Sequence, residues 1–155
     1  MLLTNRVCRM RAAMLVLALA LAGPVVAGPY EDGETAYERK DYATALRLWK
    51  PMAEQGHAAA QNSLGFMYDN GRGVPKDGAV AVKWYRLAAD QGNASAQYNL
   101  GSMYDTGQGV PKDDALAVKW YRLAADQGFA HAQSNLGFMY DTGQGVPKDD
   151  VLAYM

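Results

Sequence analysis

The feature that most constrains the fold of this chain is a tandem repeat of 36 residues. Residues 57–92 and 93–128 are identical at 27 of 36 positions. The pattern AQxxLGxMYDxGxGVPKD occurs three times, beginning at Ala60, Ala96 and Ala132. A repeat of this length is typical of proteins in which one small supersecondary unit stacks on the next.

Each unit has the pattern of two helices joined by a tight turn. In the central copy we expect a first helix near 94–105 and a second helix from Asp113 to just before Gly128. Aspartate is favoured at the start of a helix and glycine just past its end. No stretch alternates apolar and polar residues as a half-buried strand would. The sequence therefore predicts an all-α solenoid, because a single short pair cannot bury its own apolar stripes.

The same period divides the chain into segments. Repeats occupy residues 57–155, as two complete units and an incomplete third. Residues 28–56 predict an atypical capping pair, with a short first helix at 34–39 and a second helix beginning at Asp41. In this alignment Trp49 takes the place of Tyr85. Because the third unit stops about one turn into its second helix, we expect the chain to be truncated, with a frayed end as the alternative.

Residues 1–27 have the pattern of a secretory signal peptide. Three arginines precede an uncharged apolar run at 12–22, and small residues follow at 25–27. We predict cleavage before Gly28, with Gly23 as second choice, and hence a periplasmic or secreted protein. An uncleaved anchor is the alternative. The apolar run is short for a membrane span, which needs about 20 helical residues.

The composition of the mature chain excludes some classes of function. Without residues 1–27 it carries 12 basic and 16 acidic residues, a net charge of −4. Binding to nucleic acid needs a concentrated positive field, so we expect no nucleic-acid partner. The only cysteine, Cys8, leaves with the signal peptide, and the mature chain then has no means of forming a disulfide.

Several short motifs suggest chemistry but have simpler explanations. The segment 71–73 reads Gly-Arg-Gly, but no strand precedes it and no Gly-Lys-Ser/Thr follows, so it indicates a turn and not a phosphate loop. His57 and His131 occupy different repeat positions and have no second histidine or cysteine at metal-ligand spacing. The Asp113–Asp114 pair fits helix capping. We therefore predict no enzyme activity, no metal and no cofactor.

Together these residues resemble the Sel1-like repeat family, relatives of the tetratricopeptide repeat. In the central unit the resemblance rests on Ala96-Gln97, Leu100-Gly101, Met103-Tyr104, Gly107-x-Gly109-Val110-Pro111, Trp120-Tyr121 and Ala124-Ala125. It implies a right-handed α/α superhelical solenoid that acts as a scaffold or adaptor, with partner proteins held on its concave face. A cysteine-rich bacterial subgroup is linked to β-lactams, but the present chain lacks those cysteines.

Positions that change between the copies indicate where a partner would bind. In the central first helix they are spaced three, four and four residues apart, which places them on one face. The resemblance puts the first helices on the concave surface. The candidate groove residues are Asn62, Phe66, Asn70, Ser95, Tyr98, Ser102, Thr106, His131, Ser134 and Phe138. Phe66, Tyr98 and Phe138 are the predicted apolar anchors; neutral variation on a solvated face is the alternative.

The sequence thus predicts an exported module that binds a protein or peptide whose identity it does not specify. Two other hypotheses remain open. In the first, the chain is a cell-envelope enzyme or accessory protein that acts on peptidoglycan or β-lactams. In the second, it is a truncated repeat fragment without independent function.

Overall fold

A computed structural model describes residues 28–154. The predicted signal peptide lies outside these residues. The described part contains no strand and consists of α1 (Pro29–Glu38), α2 (Tyr42–Glu54), α3 (Ala58–Asn70), α4 (Gly78–Asp90), α5 (Ala94–Thr106), α6 (Asp114–Asp126), α7 (Ala130–Thr142) and a short 3-10 helix (Leu152–Tyr154). The all-α prediction is confirmed. None of these helices is both long enough and apolar enough to span a bilayer.

Aspartates begin the second helix of each pair. The carboxylates of Asp41, Asp77 and Asp113 accept hydrogen bonds from the backbone N–H three residues later, at 3.1, 3.0 and 2.9 Å. These bonds satisfy amides that have no partner inside the helix. The predicted capping role of the aspartates is confirmed.

Small residues let the two helices of a pair approach closely. A side-chain carbon placed at Gly65 would lie 2.5 Å from the Tyr85 ring, and one at Gly101 would lie 2.8 Å from the Tyr121 ring. Both rings are almost fully buried. In the α3–α4 and α5–α6 pairs a tyrosine of the second helix therefore packs directly against a glycine of the first.

The first helix is longer than the sequence predicted. It begins at Pro29 and not near residue 34, because proline suits the first position of a helix and the acidic Glu31 and Asp32 favour the N-terminal end of its dipole. The Trp49 indole covers Gly33 and donates to the carbonyl of Tyr30 at 3.1 Å. The connection 39–41 is four residues shorter than the connection 71–77, so the repeat period does not carry over to α1.

Successive pairs are joined by their Gly-x-Gly loops. Gly109 has φ +70°, and a side-chain carbon there would lie 2.1 Å from the backbone of Gly78, at the start of α4. Gly145 meets Asp114 at the start of α6 in the same way. Each loop therefore rests on the second helix of the preceding pair, where only a residue without a side chain fits.

Buried glutamines form a second joint between pairs. Gln97 donates to the carbonyl of Ala89 at 3.2 Å, and its own side-chain oxygen accepts from Gln127 at 2.7 Å. Gln61 has equivalent partners in Ala53 and Gln91, at 3.0 and 2.7 Å. The main contacts join helices that are consecutive in the chain. The molecule is a helical solenoid with the predicted 36-residue period.

Candidate protein-binding surface

The ten candidate residues lie on α3, α5 and α7, the first helices of their pairs. We call the surface that they form the first-helix face. Phe66 and Phe138 are its exposed aromatic residues, with 38% and 59% of their surface accessible. The invariant Leu100, Gly101 and Met103 of α5 are buried. Variable and invariant positions thus occupy different sides of the helix.

Three of the candidates meet in a depression of about 370 Å³ that also involves α1. We call it the N-terminal cleft. It is lined by Tyr30, Glu34, Tyr37, Glu38, Trp49, Asn62, Ser63, Phe66 and Ser95. The Tyr30 hydroxyl lies 3.2 Å from the Ser63 hydroxyl, which ties α1 to α3. Asn99 of α5 donates to Asn62 at 3.0 Å and ties α5 to α3.

Aromatic rings form one wall of this cleft. The ring centroid of Tyr37 lies 5.6 Å from that of Trp49 and 6.2 Å from that of Phe66. The Arg72 guanidinium lies 5.5 Å from the centroids of both Tyr37 and Phe66, and it donates to the Tyr37 hydroxyl at 2.5 Å. Burial raises the pKa of Tyr37 and outweighs the opposing effect of Arg72, so this hydroxyl is neutral at physiological pH.

Tyr98 differs from the other predicted anchors because it is half-buried. Its ring centroid lies 5.2 Å from that of Phe129, 5.6 Å from that of Tyr121 and 6.0 Å from that of His131. Phe129 stands at the N-cap position of α7 and makes no capping bond. Tyr98 therefore packs α5 against α6 and the start of α7, and brings His131 to the same cluster.

Several other candidates turn back on their own helix. Asn70 donates to the carbonyl of Phe66 at 2.9 Å, and the Thr106 hydroxyl donates to that of Ser102 at 2.7 Å. The Ser134 hydroxyl lies 3.2 Å from the carbonyl of Ala130. Phe138 lies outside the N-terminal cleft. The structure therefore divides the ten residues among the cleft, the Tyr98 cluster and separate exposed positions.

Sequence reasoning missed the residues that α1 brings to this surface. Tyr30, Glu34, Tyr37 and Glu38 lie outside the 36-residue period, so no comparison between copies could select them. Their spacing carries a signal, since residues three, four and seven apart share one face of a helix. A first helix extended to Pro29 would have placed all four together.

The two histidines have separate positions. His57 caps α3, where its Nδ1 accepts from the backbone N–H of Ala60 at 3.2 Å, a role that sequence reasoning missed. His131 is exposed beside Tyr98. Within residues 28–154, no three His, Cys, Asp or Glu side chains are grouped as metal ligands.

A stack of helix pairs with a variable, partly aromatic face defines the chain as a helical-repeat protein. The Sel1 repeat family model matches residues 16–57, 58–93, 94–129 and 130–155. The chain belongs to the Sel1 repeat family. Repeats of this family generally mediate protein–protein interactions, and their solenoid is typically a non-catalytic interaction module. The first matched segment begins inside the predicted signal peptide.

Two solved structures are similar to this chain. One is a protective antigen present in uropathogenic Escherichia coli strains that displays an SLR fold, with 44% identity and a TM-score of 0.77 over 81% of this chain. The other is a Sel1 repeat protein from Oxalobacter formigenes, with 41% identity and a TM-score of 0.74 over 77% of this chain. The chain spans 28% and 49% of their respective lengths. No curated protein sequence matches the chain.

Proposed function

We propose that this chain binds a segment of a partner protein along its first-helix face. The observation that carries the proposal is the separation of variable from invariant positions. Positions that pack the two helices of a pair together, such as Gly65 and Gly101, recur in every copy, whereas partly or fully exposed positions on the same helices change. A surface that differs from unit to unit offers a different contact at each step along a bound segment.

The exposed aromatic residues of this face supply apolar contact area. Phe66 and Phe138 lie on α3 and α7, so a bound segment that touched both would cross α5 between them. Large aromatic anchors surrounded by polar groups are typical of sites that bind peptides. The polar neighbours Asn62 and Ser102 would orient the backbone of that segment.

Photocrosslinking from two surfaces tests which face binds. A photoreactive phenylalanine analogue replaces Ser102 on the first-helix face in one variant, and Lys83 on the exposed side of α4 in a control variant. Each variant is expressed in the source cells and irradiated. We expect crosslinked partners from the first position and not from the second. Crosslinks that form only from position 83 would refute the assigned face.

A double substitution tests the anchors. Phe66→Ala with Phe138→Ala removes both exposed rings, while Tyr98 is left intact because it packs against Phe129 and Tyr121. We expect about a tenfold or greater loss of affinity for the crosslinked partner, as is typical of aromatic hot spots. Leu87→Ala with Leu123→Ala is the matched control, since these leucines are exposed on second helices. Equal losses in both variants would contradict the proposal.

We further propose that the chain is exported and that residues 1–27 are removed. The support is the order of its N-terminal features, a basic start, an apolar run and small residues before Gly28. Intact mass and N-terminal sequencing of the protein recovered from cells test this. We expect a mature chain that begins at Gly28 in the periplasmic or extracellular fraction. A full-length chain in the cytoplasmic fraction would refute export.

A further inference from the structure

The N-terminal cleft differs in charge from the rest of the first-helix face. Four carboxylates, those of Glu31, Asp32, Glu34 and Glu38, lie on α1 without any basic residue in that helix. The other first helices carry one aspartate each. Negative charge is therefore concentrated at one end of the first-helix face.

Two of the four carboxylates line the cleft. Glu34 and Glu38 are one helical turn apart and share a face of α1. Among residues 28–154 the ion pairs involve only Lys112 and Lys148, so neither glutamate is paired within the described part of the chain. Both glutamates are exposed, so a cation that enters the cleft meets two negative charges, whose attraction is screened by salt.

The same wall already accommodates a guanidinium group. Arg72 lies over the rings of Tyr37 and Phe66 and donates to the Tyr37 hydroxyl. Aromatic faces attract cations through their quadrupole, and the planar guanidinium also stacks on them. Arg72 does not itself line the cleft. Tyr37 and Phe66 line the cleft together with Glu34 and Glu38.

We propose that the N-terminal cleft binds an arginine side chain of the partner segment. This inference rests on the proposed function and deepens it. The aliphatic stem lies against Tyr30 and Tyr37, and the guanidinium meets Glu34 and Glu38. Asn62, Ser63 and Ser95 on the opposite side offer hydrogen bonds to the backbone of the segment. The cleft volume of about 370 Å³ has room for one long side chain and its adjoining backbone.

The test uses two fluorescein-labelled peptides, Ser-Gly-Leu-Arg-Leu-Gly-Ser and the same sequence with glutamine in place of arginine. Fluorescence polarisation with the purified full chain measures their affinities. We expect the arginine peptide to bind about tenfold more tightly than the glutamine peptide, or tighter still. Its affinity should fall as added salt screens the carboxylates. No saturable binding of the arginine peptide, or equal binding of both peptides, would overturn the proposal.

Two variants of equal charge locate the site. Glu34→Gln with Glu38→Gln removes the carboxylates of the cleft, whereas Glu31→Gln with Asp32→Asn removes two from the same helix that do not line it. We expect the first pair to abolish the preference for arginine and the second to preserve it. Circular dichroism verifies that both variants fold. Equal effects of the two pairs would mean that the arginine peptide responds to the total negative charge of α1. The assignment of the arginine site to the cleft would then be wrong.

The outcome is distinguishable from failure of the proposed function. If position 102 crosslinks a partner while the chain does not distinguish the two peptides, the first-helix face binds and the arginine assignment is wrong. If position 102 captures nothing while the arginine peptide binds and depends on Glu34 and Glu38, the cleft is a cation site and the longer binding face is wrong.

Discussion

Replacement of Gly109 by alanine tests how tightly successive pairs are joined. Gly109 and Gly128 both have a left-handed backbone, with φ of +70° and +82°. They differ in their surroundings. A side-chain carbon at Gly109 would lie 2.1 Å from the carbonyl carbon of Gly78, whereas one at Gly128 meets nothing within 4 Å. The two substitutions therefore share the backbone strain, and only Gly109→Ala adds a collision.

The difference in free energy of unfolding follows from these two contributions. A left-handed backbone costs alanine about 1–2 kcal/mol, and the stiffer unfolded chain offsets about 0.4–1 kcal/mol of this. We therefore expect Gly128→Ala to lower the free energy of unfolding by roughly 1 kcal/mol. Overpacking adds about 1–3 kcal/mol at Gly109, toward the upper end because the obstacle is backbone. The total loss there is about 2–4 kcal/mol.

Urea unfolding followed by far-ultraviolet circular dichroism measures both variants. We expect a clearly lower midpoint for Gly109→Ala than for Gly128→Ala, with similar slopes, because the surface exposed on unfolding is the same. Equal midpoints would mean that the loop moves away from α4 at no cost. The inference that the Gly-x-Gly loops join the pairs would then be wrong.

Two further predictions concern buried polar groups. Gln97→Leu removes two hydrogen bonds between pairs, the one to the carbonyl of Ala89, which keeps the N–H of Gly92, and the one from Gln127, so we expect a loss of about 1–3 kcal/mol in urea unfolding. Gln133→Leu, at an exposed site with a similar bond, should cost less, and an equal loss would contradict this reasoning. Burial raises the pKa of Tyr121 from 10.0 to about 12. Between these values the unfolded chain releases the proton and the folded chain keeps it, so stability falls as pH rises from about 10 to about 12. Tyr121→Phe should flatten that decline, and an unchanged slope would refute the assignment.

The repeat explains why most of the fold was predictable. Because residues 57–128 contain nearly the same unit twice, each turn and cap could be read from two copies. The aspartate caps followed from residue type alone. The hydrogen bonds of Gln61 and Gln97 between pairs could not be predicted in this way, because sequence patterns assign apolar residues to the core of a helix pair and give glutamine no buried position.

The candidate site was less predictable because it combines repeated and unrepeated parts. Comparison between copies selected Asn62, Phe66 and Ser95, which share the cleft. It had no means of selecting Tyr37 or Glu38, because the shorter connection 39–41 displaces α1 from the period. The position of Tyr98 depends on Phe129, a neighbour in the next unit, and no pattern within one unit reports that contact.

The joint between Gly109 and α4 has a consequence for how such a molecule can grow. It uses only the loop of one unit and the helix start of the unit before it, so an inserted copy of residues 93–128 would bring its own connection on both sides. Lengthening the array in this way would extend the recognition surface by one helix without redesigning its neighbours. The outward side chains of that added helix would be free to diverge, and the molecule could acquire a new specificity while its architecture stayed the same.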